Sequence, residues 1–247
     1  MTSSERVYTE KSRNSKRIMS AIADNLQAVA ARIARAAELA GRSPDTVRLL
    51  AVSKTWPLVS IFEAADAGQG CFGENYVQEG IDKIAASAGR KLEWHFIGPL
   101  QSNKTRPVAE NFDWVHSIDR LKVAERLSAQ RPAYLPPLHV CVQVNVSGEA
   151  SKSGCHPDEA AALCRAVAAL PGLRLRGLMA IPEPVDDEAA QRAPFRRLRE
   201  IDDDIRAGGL PLDTLSMGMS HDLEAAIAEG ATIVRVGTAI FGERNYA

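Results

Sequence analysis

A lysine directly follows an apolar run that has the pattern of a buried strand. Residues 48–54 read RLLAVSK, and Pro57 soon ends the extended segment. A lysine in such a place commonly lies in a solvated loop, with its ammonium group in water. Partial burial, however, lowers the pKa of a lysine and favours the free amine, which attacks a carbonyl carbon to form a Schiff base. Lys54 is therefore the first candidate for covalent chemistry.

Two glycine-containing turns near the C-terminus could hold a phosphate group. The first turn, SMGMS, runs from Ser216 to Ser220 and leads into a helix predicted to start near His221. The second turn lies in RVGTAIFG and offers Gly237 and Thr238. Glycine lets the backbone approach a ligand closely, and the unpaired N–H groups at the start of a helix attract anions. Such turns are also ordinary loop features, and only their shared position favours phosphate binding.

Alternation along the last predicted strand places Arg235 on the face opposite Val234 and Val236. The valine face suits a layer of helices, so Arg235 would point into the protein, where a guanidinium group needs an acceptor. Either a structural carboxylate or a ligand could supply that acceptor. The predicted strand at 138–146 also has valines on one face and polar side chains on the other. The pattern therefore predicts a polar interior.

Eight apolar strand candidates alternate with helical segments along the chain. The strands are expected near residues 47–53, 70–73, 94–97, 114–118, 138–146, 173–181, 212–217 and 232–237. The helices between and after them are expected near residues 57–67, 75–88, 102–110, 119–130, 156–170, 187–207 and 221–229. Short links require parallel strands with right-handed crossovers, and eight such units close into an α/β barrel. An open, doubly wound sheet is the competing arrangement.

The length of 247 residues suits one barrel domain over residues 17–247, with an extra helix before the first strand. Residues 1–16 mix charged and polar side chains without periodicity, which predicts a disordered leader without a function of its own. In barrels of this kind, functional groups collect at the carboxyl ends of the strands, and phosphate is commonly bound after strands seven and eight. Both glycine-containing turns fall at those two places.

The composition argues against several functional classes. A formal net charge of -1 provides no basic field for nucleic acid, and no apolar run approaches the ~20 residues of a membrane span. The four cysteines form no C-x-x-C pair and the five histidines have no metal-binding spacing, so that no metal site is expected. We expect a cytoplasmic, monomeric protein that binds a small molecule.

These features together describe a pocket for a phosphorylated aldehyde. Pyridoxal 5'-phosphate has the required aldehyde, phosphate group and ring nitrogen. A Schiff-base aldolase acting on sugar phosphates would use the same lysine and the same turns without any cofactor. Lys104 and Lys152 lie on loops after the third and fifth predicted strands and are alternative amines.

Seven motifs resemble those of the YggS/PROSC family of pyridoxal phosphate homeostasis proteins. In chain order they read AVSKT, FGENYVQE, HFIGPLQSNK, SKSG, RGLMAIP, LSMGMSHDLEAAI and VRVGTAIFG. The resemblance covers about residues 18–247. It implies a single (β/α)8 barrel of the alanine racemase N-terminal type, which is the fold-type III architecture of enzymes that use pyridoxal phosphate.

The resemblance also implies which residues hold the cofactor. Lys54 would be the Schiff-base lysine and Arg235 would face the pyridine nitrogen. Asn75 and Met179 would line the ring. The phosphate group would be held by Ser216, Met217, Ser220, Gly237 and Thr238.

Members of this family are thought to bind, carry and buffer the cofactor, and so to maintain vitamin B6 and amino-acid balance without robust catalysis. The resemblance therefore implies no catalytic residue, while PLP-dependent apoenzymes become candidate partners. A guanidinium group keeps its proton, so Arg235 would weaken the electron sink of the ring. The alternative is a fold-type III amino-acid racemase or lyase, in which Tyr76 or another residue at the mouth of the barrel would supply an acid.

Overall fold

The computed structural model describes the backbone of residues 3–148 and 153–243, and the side chains within those ranges from residue 21 onward. Eight parallel strands form a closed barrel in chain order, each strand pairing with the next and β8 pairing with β1. The strands are β1 Arg48–Val52, β2 Cys71–Glu74, β3 Glu93–Phe96, β4 Trp114–Ile118, β5 Leu138–Gln143, β6 Leu173–Met179, β7 Thr214–Ser216 and β8 Ile233–Val236.

An outer layer of helices surrounds the barrel. The helices are α1 Ser3–Leu39, α2 Leu58–Asp66, α3 Val77–Ala86, α4 Thr105–Asn111, α5 Leu121–Gln130, α6 Pro157–Ala168, α7 Glu188–Ala207, α8 Leu223–Ala228 and α9 Thr238–Phe241. Two 3-10 helices, Pro44–Thr46 and Ser102–Lys104, precede β1 and α4. The predicted barrel, its eight strands and the seven predicted helices are confirmed, and the open doubly wound sheet is wrong.

The N-terminal helix is longer than the sequence pattern predicts. The backbone of α1 is helical from Ser3 to Leu39, so it includes most of the segment predicted as a disordered leader over residues 1–16. Residues 1–40 contain neither glycine nor proline, and nothing in them interrupts a helix. Apolar periodicity indicates which part of a helix can pack against a core, and that property differs from where the helix begins.

The second half of α1 braces the last βα unit of the barrel. Ile22, Leu26, Val29 and Ile33 are buried in the main hydrophobic core, each burial being worth about 1.5–3 kcal/mol. Polar contacts add to this packing, because Asn25 Nδ2 donates to the carbonyl of Ile240 at 2.9 Å. The helix thus supports the segment of chain that follows β8.

The two faces of the barrel wall have different chemistry. Val140 and Val142 face outward and pack in the main core beneath the helices. The interior holds a separate cluster of Trp114, Cys141 and Met179, together with buried polar groups. These buried polar groups include His95, His116, Gln143 and Arg235. The polar interior expected from the sequence is therefore present.

Among the described residues, no helix is both long and apolar enough to cross a bilayer.

Gly177 allows the closest approach of two strands, and it provides a test of the barrel packing. A Cβ atom at this position would overlap the backbone carbonyl of Thr214 on β7, which cannot move away without breaking the strand pairing. We expect Gly177→Ala to lower the free energy of unfolding by about 3 kcal/mol or more, measured by urea denaturation.

Gly70→Ala is the matched control for that substitution. Gly70 lies directly before β2, its Cβ would meet nothing within 4 Å, and its φ is not positive. The expected change is within about 0.5 kcal/mol. Equal stability of the two variants would contradict the packing of β6 against β7.

Candidate functional site

The carboxyl ends of all eight strands meet at one end of the barrel, which we call the C-terminal rim. Leu50 and Val52 of β1 face the interior, where they pack with Ile97 and Ile233. Lys54 follows two residues after Val52 and is half-buried at this rim. The next residue, Thr55, has a φ of 66°, a left-handed conformation that is uncommon outside glycine. The turn after β1 is thus held in an unusual shape directly beside Lys54.

A buried ion-pair network fixes that turn from behind. Lys83 Nζ donates to three oxygen atoms: the carbonyl of Ser53 at 2.8 Å, Glu74 Oε1 at 2.8 Å and Glu79 Oε1 at 2.6 Å. The hydroxyl of Ser53 donates to Glu74 Oε1 at 2.6 Å, and the backbone N–H of Thr55 donates to Glu79 Oε1. The residues on both sides of Lys54 are therefore tied to one ammonium group and its two carboxylates.

This network was not predicted from the sequence, although Glu74 and Glu79 both lie in the FGENYVQE motif. Glu74 ends β2 and is fully buried, while Glu79 and Lys83 lie four residues apart on α3. Burial raises the pKa of Glu74, and the neighbouring ammonium group of Lys83 opposes that rise. The i,i+4 spacing of Glu79 and Lys83 was the available signal. It usually marks a solvated helix face, and only the fold shows that this pair is covered.

Arg235 points into the barrel, as its place in the strand predicts. Its Nη1 donates to the carbonyl of Ser216 at 2.6 Å and to the hydroxyl oxygen of Ser216 at 2.9 Å, and its Nη2 donates to the carbonyl of Ala180 at 2.9 Å. No ion pair joins Arg235 to a carboxylate of the described residues. Burial lowers the pKa of Arg235 to about 10, so that it stays charged at neutral pH.

The side-chain hydroxyl of Ser216 accepts a hydrogen bond from Arg235. The residue is fully buried, and its hydroxyl is shared between Arg235 Nη1 and His116 Nδ1, the latter at 2.8 Å. The family resemblance implies a phosphate contact for Ser216. In the structure the hydroxyl is used for the arginine, because β7 ends with this side chain facing the barrel interior.

Asn75 offers a polar group without a partner. Its Oδ1 atom is buried and has no hydrogen bond within the described structure. A Cβ on Gly98 would overlap the Asn75 carbonyl, so the glycine of the IGP segment after β3 allows the two rim loops to pack together. Buried polar atoms are nearly always hydrogen-bonded in proteins, so this oxygen atom is available to accept a hydrogen bond from a group outside the described residues. Met179 of β6 is fully buried and pairs with Ser216 of β7 in the strand register.

The two predicted phosphate-binding turns lie at the same rim. Met217 is buried and Ser220 is half-buried, and the turn between them is fastened by Asp222, whose Oδ1 accepts the backbone N–H of Met219. Gly237 packs against Val52, where a Cβ would lie 3.1 Å from the Val52 carbonyl oxygen.

Strand register brings the elements of the site together. Ala51 of β1 pairs with Val236 of β8, and Ser216 of β7 pairs with Ile233. Thr238 is exposed and begins the short helix α9, in which the N–H groups of Ile240 and Phe241 donate to the carbonyl of Gly237. The segments carrying Lys54, Arg235 and both turns therefore adjoin one another at one end of the barrel.

Other residues singled out from the sequence are placed differently. Lys104 is exposed in the 3-10 helix after β3, and Lys152 lies outside the described residues. Tyr76 is 57% exposed, directly before α3. At the opposite end of the barrel, ligand atoms of Cys71, Glu93 and His95 come within 4.8 Å of one another. Sequence spacing could not reveal that cluster, because its members come from neighbouring strands.

Comparisons with known proteins agree with this architecture. Residues 25–245 match the family described as alanine racemase, N-terminal domain. Over 228 residues the chain is 66% identical to the pyridoxal phosphate homeostasis protein of Pseudomonas aeruginosa, covering 92% of this chain and 98% of that protein. It is 56% identical over 232 residues to the protein of the same name from Escherichia coli, covering 93% and 99% of the two chains.

A solved structure supports the same relationship. PipY of Synechococcus elongatus, with PLP bound, superposes with a TM-score of 0.76 at 38% identity, covering 90% of this chain and 100% of that chain. The regions aligned with these relatives include nearly the whole barrel. The chain therefore belongs to the family of the pyridoxal phosphate homeostasis proteins, which is built on the alanine racemase N-terminal domain.

Proposed function

We propose that this protein binds pyridoxal 5'-phosphate through Lys54 and serves the homeostasis of that cofactor as a carrier and buffer, without robust catalysis. Two kinds of observation support the proposal. The relatives with 51–66% identity carry the name pyridoxal phosphate homeostasis protein, and the related PipY structure holds PLP. The C-terminal rim of this chain also has the groups that such a cofactor needs.

The observation that carries the proposal is the burial of Arg235 among neutral oxygen atoms. A guanidinium group has five N–H donors, and the interior contacts of Arg235 account for three hydrogen bonds. The Asp222 carboxylate acts on Arg235 through space without an ion pair, so an acceptor supplied by a ligand would give this buried charge a further direct partner. The ring nitrogen of the cofactor is such an acceptor. The unpaired Oδ1 of Asn75 fits a polar ligand at the same rim.

Each residue has a distinct task in this arrangement. When bound, pyridoxal phosphate supplies an aldehyde for covalent attachment to an amine and a ring that withdraws electrons. The network of Glu74, Glu79 and Lys83 holds the turn that presents Lys54. Arg235 keeps its proton and so stays a hydrogen-bond donor toward the ring nitrogen.

The phosphate group of the cofactor would lie between the two glycine-containing turns. Gly237 lets the backbone approach closely, while Ser220 and Thr238 offer hydroxyl donors and Met217 fixes the first turn by burial. Ser216 acts on the cofactor indirectly, by holding Arg235. Met179, which is buried in the interior cluster with Trp114 and Cys141, would line the ring of the cofactor.

The same residues disfavour amino-acid turnover. Racemisation needs an acid and a base on opposite faces of the substrate carbon, and Tyr76 is largely in solvent. A ring nitrogen that faces a protonated guanidinium is not itself protonated, which weakens the stabilisation of a carbanion. We propose that the protein acts in the cytoplasm as a monomer and passes its cofactor to PLP-dependent apoenzymes.

Covalent attachment at Lys54 is directly testable. Wild-type protein mixed with excess pyridoxal phosphate is expected to show a visible absorption band that Lys54→Ala lacks, because the amine is the point of attachment. Borohydride reduction followed by peptide mass spectrometry should then place a pyridoxyl group on Lys54. Lys104→Ala, which removes the exposed alternative amine, is the control and should keep the band.

Three results would speak against the proposal. A wild-type protein that stays colourless in excess cofactor would contradict binding, and a sugar fragment on the lysine would indicate an aldolase. Exchange of the α-proton of alanine or serine in deuterated water, lost in Lys54→Ala, would indicate a racemase or lyase.

The effect of the Glu74, Glu79 and Lys83 network on cofactor binding can be separated from its effect on stability by a pair of variants. Lys83→Met leaves the buried Glu74 carboxylate without its ammonium partner, and we expect it to lower the free energy of unfolding by about 3–5 kcal/mol. Adding Glu74→Gln removes the uncompensated charge and should restore most of that loss. Both variants nevertheless lack the donor to the Ser53 carbonyl, and both should bind pyridoxal phosphate more weakly.

Equilibrium denaturation and cofactor titration measure the two effects separately. Lys91→Met, at an exposed lysine before β3, is the control and should change neither quantity. A double variant that binds the cofactor as tightly as wild type would show that the network does not position Lys54.

A further inference from the structure

A chain of hydrogen bonds crosses the barrel interior from the C-terminal rim to the opposite end, which we call the N-terminal pole. It begins at Arg235, whose Nη1 lies 2.9 Å from Ser216 Oγ, and continues from Ser216 Oγ to His116 Nδ1 at 2.8 Å. His116 Nε2 lies 2.9 Å from His95 Nδ1, and His95 Nε2 lies 2.7 Å from Glu93 Oε1. Glu93 is the first residue of β3 and lies at the N-terminal pole.

The protons of this chain can be assigned from its two ends. Burial opposes the ionisation of Glu93, but contacts with His95 and Arg48 outweigh it and lower the pKa of Glu93 to about 2. Glu93 is therefore an acceptor, and His95 Nε2 carries the proton that it receives. Burial lowers the pKa of both His95 and His116, so each imidazole is neutral and has one donor and one acceptor.

Only one direction satisfies every group. With a proton on Nε2, His95 accepts at Nδ1, so His116 donates from Nε2 and accepts at its own Nδ1. The Ser216 hydroxyl then donates to His116 while its oxygen accepts from Arg235. In the reverse direction Ser216 Oγ would receive protons from Arg235 and His116 at once, and its own proton would have no acceptor in the chain. All donors therefore point toward Glu93.

Ring stacking supports this orientation of the imidazoles. The indole of Trp114 is stacked on His95, with ring centroids 5.2 Å apart and planes inclined by 9°, and on His139 at 4.7 Å. Stacking fixes the plane of an imidazole, and the hydrogen bonds at its two nitrogen atoms select between the two ring orientations that share this plane. His95 thus holds one nitrogen toward Glu93 and the other toward His116.

We propose that Glu93 is a remote positioning residue of the cofactor site, acting on Arg235 through His95, His116 and Ser216. When neutral groups in a hydrogen-bond chain have their dipoles in one direction, each hydrogen bond strengthens the others. The Glu93 carboxylate at the end of this chain polarises all of its groups. The Ser216 oxygen becomes a better acceptor, and Arg235 is held more firmly toward the ring nitrogen. This inference rests on the proposed function, since it concerns the contact between Arg235 and the cofactor.

The N-terminal pole itself is an ion-pair cluster. Arg48 Nη2 lies 2.7 Å from Glu93 Oε1 and 2.9 Å from Cys71 Sγ. The ligand atoms of Cys71, Glu93 and His95 have a spacing that could suit a metal ion. The guanidinium group already provides the positive charge between two of them, and His95 Nε2 is committed to Glu93. The cluster is therefore best described as the anchor of the chain.

The first experiment needs no cofactor. Nitrogen-15 chemical shifts of the histidine rings distinguish protonated from unprotonated ring nitrogens, and both His95 and His116 are expected to carry their proton on Nε2 at neutral pH. A proton on Nδ1 of His116, or a doubly protonated ring in either residue, would overturn the proposed direction. Because this readout is independent of ligand binding, it stands apart from the proposed function.

The second experiment is a double-mutant cycle on the protein with its cofactor. Glu93→Gln keeps an acceptor oxygen of the same size but removes its charge, and Ser216→Ala cuts the chain. We expect Glu93→Gln to weaken pyridoxal phosphate binding by roughly 2- to 30-fold and to shift its absorption band. In the Ser216→Ala background the same substitution should have no further effect, because the connection to Arg235 is gone.

Asp213→Asn is the matched control for the loss of a carboxylate at the N-terminal pole. Asp213 directly precedes β7, and its ion pair with Arg176 is not part of the hydrogen-bond chain from Arg235 to Glu93. This variant should therefore bind the cofactor within about twofold of wild type. Near-UV circular dichroism confirms that each variant is folded. Equal effects of Glu93→Gln on cofactor binding in the wild-type and Ser216→Ala backgrounds would refute the coupling. If both histidines carry their proton on Nε2 but the protein binds no cofactor, only the proposed function is refuted.

Discussion

The positive charge of Arg235 lies inside a closed barrel, and the construction of the site follows from the need to satisfy it. A buried guanidinium group loses its hydration, and in this protein neutral oxygen atoms of Ser216 and Ala180 replace part of that loss. Among the described residues, the Asp222 carboxylate acts on Arg235 through space but forms no ion pair with it. Under the proposed function, a ligand at the rim would supply the direct acceptor that the barrel interior does not.

The rest of the architecture keeps this polar interior rigid. The outward faces of the strands are apolar and pack beneath the helices, which supplies the stability that the interior does not. Helix α1 packs against α2, α8 and α9 of the helical layer, and Arg32 Nε on α1 donates to Glu224 Oε1 at 2.8 Å. Behind Lys54, the ammonium group of Lys83 meets three oxygen acceptors. Buried polar groups that are joined by several short hydrogen bonds favour one geometry, and this is the property that a site for a reactive aldehyde requires.

The pattern of residues along the chain predicted the barrel and the end of it at which the candidate site lies. Strand alternation correctly placed Arg235 inside, since the period of two is a local property of the backbone. The same reasoning placed the glycine-containing turns at the end that carries Lys54, because parallel strands all finish on one side. The extent of α1 was not evident from the pattern, because the backbone is helical from Ser3 while apolar periodicity starts at Ile18. Helix formation depends on backbone hydrogen bonds and residue propensity, and neither glycine nor proline occurs before residue 41.

Composition and periodicity by themselves determined the fold class, the direction of the strands and the side of the barrel on which chemistry could occur. Only the tertiary structure decided which polar residues meet. Glu93, His95, His116 and Ser216 come from three strands and are up to 123 positions apart in sequence, so that no local spacing relates them. The use of the Ser216 hydroxyl and the burial of Lys83 were likewise decided by packing. Hydrogen bonds depend on distances of about 3 Å, and such distances between strands are fixed by barrel closure and register.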